Sequence, residues 1–154
     1  MQHVKVQIAV IGTSEANSEE FQAAYFIGSR IAESGAILLC GGQGGVMKAA
    51  AQGAHDNGGI TVGILPGIID ANEYVDIRIS TDMGQARNII LVLSADVVIA
   101  VGGEFGTLSE IAIARKMQKP LYGWKTWAID GLVVCMTPEE TVHAALHAAF
   151  QLQE

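Results

Sequence analysis

Apolar residues along the chain fall in short continuous runs closed by glycine-bearing turns, and most runs are separated by a stretch with helical spacing. Lys5 to Ile11 is β-rich and ends in Gly12-Thr13-Ser14, and Ser18 to Glu33 repeats its apolar residues every three or four positions. That is one strand followed by one helix. The theme recurs with a strand at Ala36 to Cys40, a turn over Gly41 to Gly45, a helix near Val46 to His55, and a strand at Ile60 to Leu65 stopped by Pro66-Gly67. A loop carrying Asp70, Asn72, Glu73 and Tyr74 then leads through the short strand VDIRIS to a helix over Gln85 to Ser94. In that helix Ala86, Ile89, Ile90 and Leu93 form one stripe, and the other sides are apolar too. Asp96 to Val101 is a further strand, followed by the turn VGGEFGTLSE, a helix to about Met117 and a strand at Pro120-Leu121-Tyr122. Thr137-Pro138-Glu139-Glu140 joins a capping threonine, a proline at the first helical position and a glutamate three residues past the cap, so it opens a last helix.

Strands that are continuously apolar, each joined to the next through a helix, are buried on both faces. The expected fold class is therefore α/β: a doubly wound, mainly parallel Rossmann-like sheet with helices on both faces, built as a single domain over residues 1–154. In such sheets ligands bind beyond the carboxyl ends of the strands, where the connections diverge. Three glycine-bearing turns fall at that edge: Gly12-Thr13-Ser14, Gly41 to Gly45, and Gly102 to Gly106.

Composition narrows the partners. A formal net charge of −7 opposes general attraction to a phosphate backbone, so nucleic acid is not expected. Charged residues make up 16% of the chain and hydrophobic ones 50%, which predicts a surface partly covered by another subunit, in a homodimer or a higher homo-oligomer. No apolar run approaches the ~20 residues of a membrane span, and the start MQHVKVQIAVIG enters a strand pattern with no cleavage-site pattern, so neither membrane nor export is expected. Cys40 and Cys135 sit in or beside apolar runs and read as core residues of a reducing, cytoplasmic compartment.

Glycines at a strand-to-helix turn let backbone N–H groups approach a ligand closely, and the helix N-terminus adds partial positive charge. An anion fits there. CGGQGGVM lacks the GxGxxG spacing and no GxxxxGK[ST] occurs, so the turns predict a phosphate-bearing ligand without naming a dinucleotide or a P-loop nucleotide. Thr107-Leu108-Ser109-Glu110 fits a capping box, with Glu110 bonding back to the Thr107 backbone. The same residues also fit a ligand site, in which Thr107 meets phosphate and Glu110 holds a hydroxyl or activates water. Arg87 and Asn88 open an otherwise apolar helix, where a cation works against the dipole unless an anion compensates, so both join the ligand set.

Other residues read as structural. His143 and His147, with Glu140, could be drawn as a metal cluster, but they lie opposite the Val142, Leu146, Ala149 stripe and read as a solvated face; no metal site is expected. Cys40 precedes a glycine turn, has no basic neighbour to make a thiolate, and reads as buried and inert. Trp124 and Trp127 read as packing residues, and Asp96 as a structural residue at the far edge of its strand.

The ordered set GGQGGVM, the ILPG turn, QARN followed nine residues after its arginine by ADVVIAVGG, and GTLSEIAIA resembles the Lonely Guy and molybdenum-cofactor-carrier group of Rossmann-like proteins, often labelled possible lysine decarboxylases. The resemblance runs nearly end to end. It implies that Arg87 and Glu110 match the catalytic pair of the Lonely Guy enzymes, which cleave the base from a nucleoside 5′-monophosphate to release ribose 5-phosphate. Gly102 stands where those enzymes have proline, Glu104 where they have glycine, and Asn88 where they have lysine, and these departures resemble the carrier-like branch. Lys5, Lys48, Lys116, Lys119 and Lys125 are all placed away from the glycine-turn edge, so pyridoxal-phosphate decarboxylase chemistry finds no lysine. A more distant resemblance to DNA-processing protein A is countered by the acidic charge and by the lack of a basic, aromatic-lined track.

The sequence thus predicts a binding or carrier protein for a phosphorylated small molecule, a nucleotide or molybdenum cofactor as cargo, with no cofactor required. The alternative is a nucleoside 5′-monophosphate phosphoribohydrolase with Arg87 and Glu110 as catalytic residues. The candidate ligand-binding set is Gly12, Thr13, Ser14, Gly41, Gly42, Gly44, Gly45, Met47, Arg87, Asn88, Gly102, Gly103, Gly106, Thr107 and Glu110.

Overall fold

The computed structural model describes residues 4–154; Met1, Gln2 and His3, at the start read above as carrying no leader, lie outside the described residues. Seven strands, β1 (Gln7–Gly12), β2 (Ile37–Cys40), β3 (Thr61–Leu65), β4 (Ile77–Ser80), β5 (Val97–Val101), β6 (Leu121–Trp124) and β7 (Val133–Cys135), form one sheet in the order β4-β3-β2-β1-β5-β6-β7. Every pairing is parallel, where a mainly parallel sheet was expected. Five helices connect them: α1 (Ser18–Glu33), α2 (Val46–Asp56), α3 (Arg87–Ser94), α4 (Phe105–Lys116) and α5 (Pro138–Gln151).

The continuous apolar strands divide their side chains between two cores, as the period of a strand requires. Ile8 and Val10 of β1 face one side, packed with Ile27 and Ile31 of α1, Ala50 of α2 and Ala145 of α5. Ala9 and Ile11 face the other, with Leu91 and Val92 of α3 and Ile111 and Ala114 of α4. At the amino ends of the strands, two carboxylates hold backbone N–H groups that the ladder leaves free. Asp96 Oδ2 accepts from Gln7 N and Asp76 Oδ2 from Thr61 N, both at 2.8 Å, which gives Asp96 the structural role read from its position.

Three expectations change. The stripe read on α3 faces the wrong way: Ile89 and Leu93 are 42% and 54% exposed, while Arg87, Asn88, Leu91 and Val92 are buried. With every side of that helix apolar, periodicity could not choose a rotation, and tertiary bonds to Arg87 did. The helix after VGGE starts at Phe105 with Glu104 at the N-cap, so Thr107 is the third helical residue and Thr107–Glu110 is not a capping box. Edge strand β7 was not anticipated; at three residues it carries no periodic signal.

Candidate functional site

Strands β1 and β5 lie side by side, but the connection from β1 leads to α1 on one face and that from β5 to α4 on the other. The crevice at their carboxyl ends is the switch point of the sheet. A cleft of about 210 Å³ opens there. Gly12, Thr13 and Ser14 line it from the β1 turn, Gly41, Gln43 and Met47 from the β2–α2 turn, Arg87 and Asn88 from α3, and Gly106, Thr107 and Glu110 from α4. Gly42, Gly44, Gly45, Gly102 and Gly103 do not line it; they belong to the turns behind the wall. Gly45 has φ 62°, and a Cβ there would strike the Thr13 carbonyl oxygen. The close approach joins the two turns, since Val46 N donates to that same oxygen at 2.9 Å.

Helix termini around the cleft differ from those elsewhere. Asn17 caps α1 by accepting from Glu20 N at 2.8 Å, and Thr137 caps α5 by accepting from Glu140 N at 3.1 Å; both first turns carry two glutamates. Neither device is used at α2 or α4. Each lacks a side-chain cap bond and an acid in its first turn, although Glu104 occupies the N-cap position of α4. A helix start whose first N–H groups have no side-chain partner and whose dipole is uncompensated favours an anion.

Arg87 is 7% exposed, and its guanidinium is committed to the protein. Nη1 donates to the Gly41 carbonyl at 2.9 Å and to the Ile64 carbonyl at 2.6 Å, and Nη2 reaches Gln43 Oε1 at 3.5 Å. Gly41 must be glycine here, because a Cβ would collide with the guanidinium. Asn72 fixes the same turn from outside, its amide Nδ2 donating to Gln43 O and its backbone N to Gly42 O, both at 2.8 Å. The side chain expected as a free anion ligand is thus first a tie between the ends of β2 and β3. Its Nε, and the Oδ1 of Asn88, are buried without a hydrogen-bond partner.

Glu110 sits in the same cleft. Burial pushes its carboxyl up to about 7, and the nearby Arg87 charge opposes that rise without cancelling it. A carboxyl poised near neutrality can donate, accept or move a proton. Cys40 does have a basic neighbour in space, Arg87, yet burial dominates and raises its thiol to about 11, so it stays protonated.

Lys48 and Lys125 require correction. Lys48 lies in the first turn of α2 and Lys125 directly follows β6, so both stand at the carboxyl edge rather than away from it. They pair outward with Glu73 and Glu19, and no lysine lines the cleft. His143 and His147 are exposed, and Trp124 is buried. A larger groove of about 580 Å³, lined by Phe26, Arg30, Glu139, His143 and Leu146 among others, runs between α1 and α5. It has neither glycine turns nor an uncapped helix start. The cleft residues not anticipated are Val10, Ile11, Gln43, Gln85 and Glu104; Gln43 and Glu104 stood inside the glycine turns, and Gln85 two residues ahead of Arg87.

Sheet order, switch-point cleft and uncapped helix starts define a Rossmann-like α/β protein with a concave site at the switch point of its carboxyl edge. A model of the SLOG cluster4 family matches residues 5–151, and the chain belongs to that family. The structure is similar to the molybdenum cofactor binding protein of Rippkaea orientalis, with a TM-score of 0.89 and 37% identity over 95% of this chain and 98% of that one. It is similar as well to the molybdenum cofactor carrier protein of Chlamydomonas reinhardtii, with a TM-score of 0.88 and 34% identity over 94% and 98% of the two chains. A protein of Archaeoglobus fulgidus is 49% identical over 146 residues, 94% of this chain and 97% of its own. The resemblance read from GGQGGVM, QARN and GTLSE therefore holds.

Two outcomes follow from the site. Glu110 titrates near 7 when folded and near 4.5 when unfolded, so the folded state binds more protons between those values, and stability falls as pH rises through that window. Glu110→Gln is expected to match the parent near pH 4.5 and to melt roughly 5 °C or more above it at pH 8, read by thermal unfolding at both pH values. Arg87→Met, which frees the Gly41 and Ile64 carbonyls, is expected to cost about 2–4 kcal/mol in urea unfolding. The exposed Arg78→Met is expected to change it by no more than about 0.5 kcal/mol.

Proposed function

We propose that this chain binds a phosphorylated small molecule, a nucleotide or the pterin phosphate of molybdenum cofactor, and carries it without turning it over. The observation that supports this most is the contrast in capping: α1 and α5 are closed by side chains and carry glutamates in their first turns, while α2 and α4 have no side-chain cap bond and no acid in the first turn, Glu104 standing at the N-cap of α4. Phosphate oxygens would take the N–H groups at Gly106 and Thr107 and the Thr107 hydroxyl, all of which line the cleft. Arg87 contributes charge through the ring of carbonyls it holds. The similar carrier proteins lend this reading its cargo class, and the net charge of −7 sets it apart from nucleic-acid binding. Both cysteines are free, which suits action in the cytoplasm. Among the described residues, no helix is long and apolar enough to cross a membrane.

A second reading, phosphoribohydrolase activity on nucleoside monophosphates, is favoured by one feature, the half-buried Glu110 carboxyl near neutrality beside Arg87. In that reaction Glu110 would assist water attack at the anomeric carbon, with Arg87 offsetting developing charge.

The homo-oligomer has a candidate face. Ile77 and Ile79 of β4 pair in register with Val62 and Ile64, which belong to the core on the α3 side, so they point to the side where Ile89 and Leu93 lie exposed. A second copy of the chain on this face would bury all four.

At saturating ligand, about 100 times Kd, a nucleoside monophosphate is expected to stabilise the protein by about 2.7 kcal/mol and the matching nucleoside far less, measured as shifts in melting temperature. Equal shifts for both would remove phosphate from the argument. Thr107→Val should weaken the phosphorylated ligand alone, by roughly tenfold. Free base released from the same mixtures, and lost in Glu110→Gln, would establish the second reading. For the assembly, light scattering is expected to give a multiple of 16.2 kDa for the parent and the monomer mass for Ile89→Glu with Leu93→Glu.

A further inference from the structure

The segment that connects β3 to β4, residues 66–76, lines no part of the cleft, yet it grips the cleft wall from outside. Three consecutive carbonyls of the β2–α2 turn are each taken by a donor that does not belong to the turn. Gly41 O accepts from Arg87 Nη1 at 2.9 Å, Gly42 O from Asn72 N at 2.8 Å, and Gln43 O from Asn72 Nδ2 at 2.8 Å. The Asn72 amide is itself oriented, because its Oδ1 accepts from Tyr74 N at 3.0 Å, so Nδ2 is the end left for Gln43. Its neighbours pin the segment to α2. Glu73 pairs with Lys48 at 3.2 Å, and the Tyr74 ring stands 5.9 Å from Lys48 Nζ and 5.7 Å from the His55 ring.

A peptide group offers an anionic oxygen an attractive N–H and a repulsive carbonyl, so a turn that meets such a ligand must send its carbonyls elsewhere. Here three in a row are sent elsewhere, and Asn72 holds two of them. The donors of Gln43 are not used up. Among the described residues no hydrogen bond takes its N–H or its Nε2, and Gln43 stands in the cleft wall. Its Oε1 lies 3.5 Å from Arg87 Nη2, so its side chain borders the guanidinium. Arg87, 7% exposed and in the same wall, has an Nε with no partner. A donor that loses its hydration and gains no acceptor points to a missing one, and the uncapped start of α2 just beyond the turn favours negative charge in that acceptor.

We infer that Gln43 is a ligand-binding residue of the cleft, donating from its N–H and its Nε2 to an acceptor oxygen of the ligand, and that Asn72 is the residue that positions it by drawing the Gly42 and Gln43 carbonyls away. This adds the β2–α2 turn to the α4 start as a second source of donors. The oxygen belongs to a phosphate or to a sugar hydroxyl, which are the same partner to an N–H group. Asn72 touches no ligand and acts through Gln43. The inference rests on the reading of the cleft as a site for a phosphorylated molecule.

Amide NMR spectra of the intact protein, titrated with inorganic phosphate and with ribose 5-phosphate, separate the two ideas. The backbone and side-chain amide signals of Gln43 are expected to shift with the same dissociation constant as those of Gly106 and Thr107. A Gln43 shift with inorganic phosphate assigns the oxygen to phosphate, and one with ribose 5-phosphate alone assigns it to the sugar. Asn72→Ala, which keeps the backbone bond to Gly42 and loses the one to Gln43, should bind ribose 5-phosphate roughly tenfold more weakly and lose the Gln43 shift, while Gly106 and Thr107 still respond. Asn72→Asp keeps the acceptor for Tyr74 N but has no donor for Gln43, so it should lose the Gln43 shift as well. Movement of Gly106 and Thr107 with Gln43 silent in the parent, or a parent-like Gln43 shift in either variant, overturns the inference and leaves the phosphate reading standing. If no signal in the cleft responds to either compound, both fall.

Discussion

One guanidinium closes the carboxyl edge of this sheet. Arg87 Nη1 takes the carbonyls of Gly41, just past β2, and of Ile64, inside β3, from a side chain that begins α3. Two backbone acceptors and the nearby Glu110 offset the cost of burying a cation, and burial still lowers its pKa. Three features follow from that one contact. Gly41 can carry no Cβ, Glu110 lies within reach of a fixed positive charge, and α3 is turned so that Arg87 and Asn88 face inward.

The turning of α3 links the cleft to the outer surface. A helix that is apolar all round can bury only one side against the sheet, and this one buries the side bearing Arg87 and Asn88. The cost appears on the other side, where Ile89 and Leu93 face outward beside Ile77 and Ile79 of an edge strand. Apolar surface gathered this way is stabilised by removal from water, at about 25 cal/mol per Å². On the proposed assembly, the residue that builds the cleft thus also prepares the face that a second copy covers.

Much of the architecture was legible because strand and helix periods differ and glycine turns separate them. The alternation over Ile8, Ala9, Val10 and Ile11 needed no tertiary information, and neither did the start of α5 at Thr137-Pro138. The cleft was partly legible: Gly12, Gly41, Arg87, Thr107 and Glu110 converge as their places in the topology require. What stayed hidden depends on contacts between distant segments. Nothing in QARN says that a guanidinium will find carbonyls 46 and 23 residues away, or that Asn72 will clamp Gln43. Glu110 was open to a local reading as a cap until the helix start moved back to Phe105. Lys48 and Lys125 were misplaced because their outward pairing with Glu73 and Glu19 is invisible along the chain.

The committed guanidinium also bears on whether the site turns over its ligand. Catalysis needs interactions that strengthen as the transition state forms, so a group that stabilises developing charge must be free to meet it. Here Nη1 already serves two carbonyls, and strengthening a ligand contact through it would weaken the tie between β2 and β3. Only Nε and the weakly engaged Nη2 remain available. A guanidinium spent on architecture in this way is what the proposed carrier role requires, since a ligand held in one state needs no group kept free for a transition state.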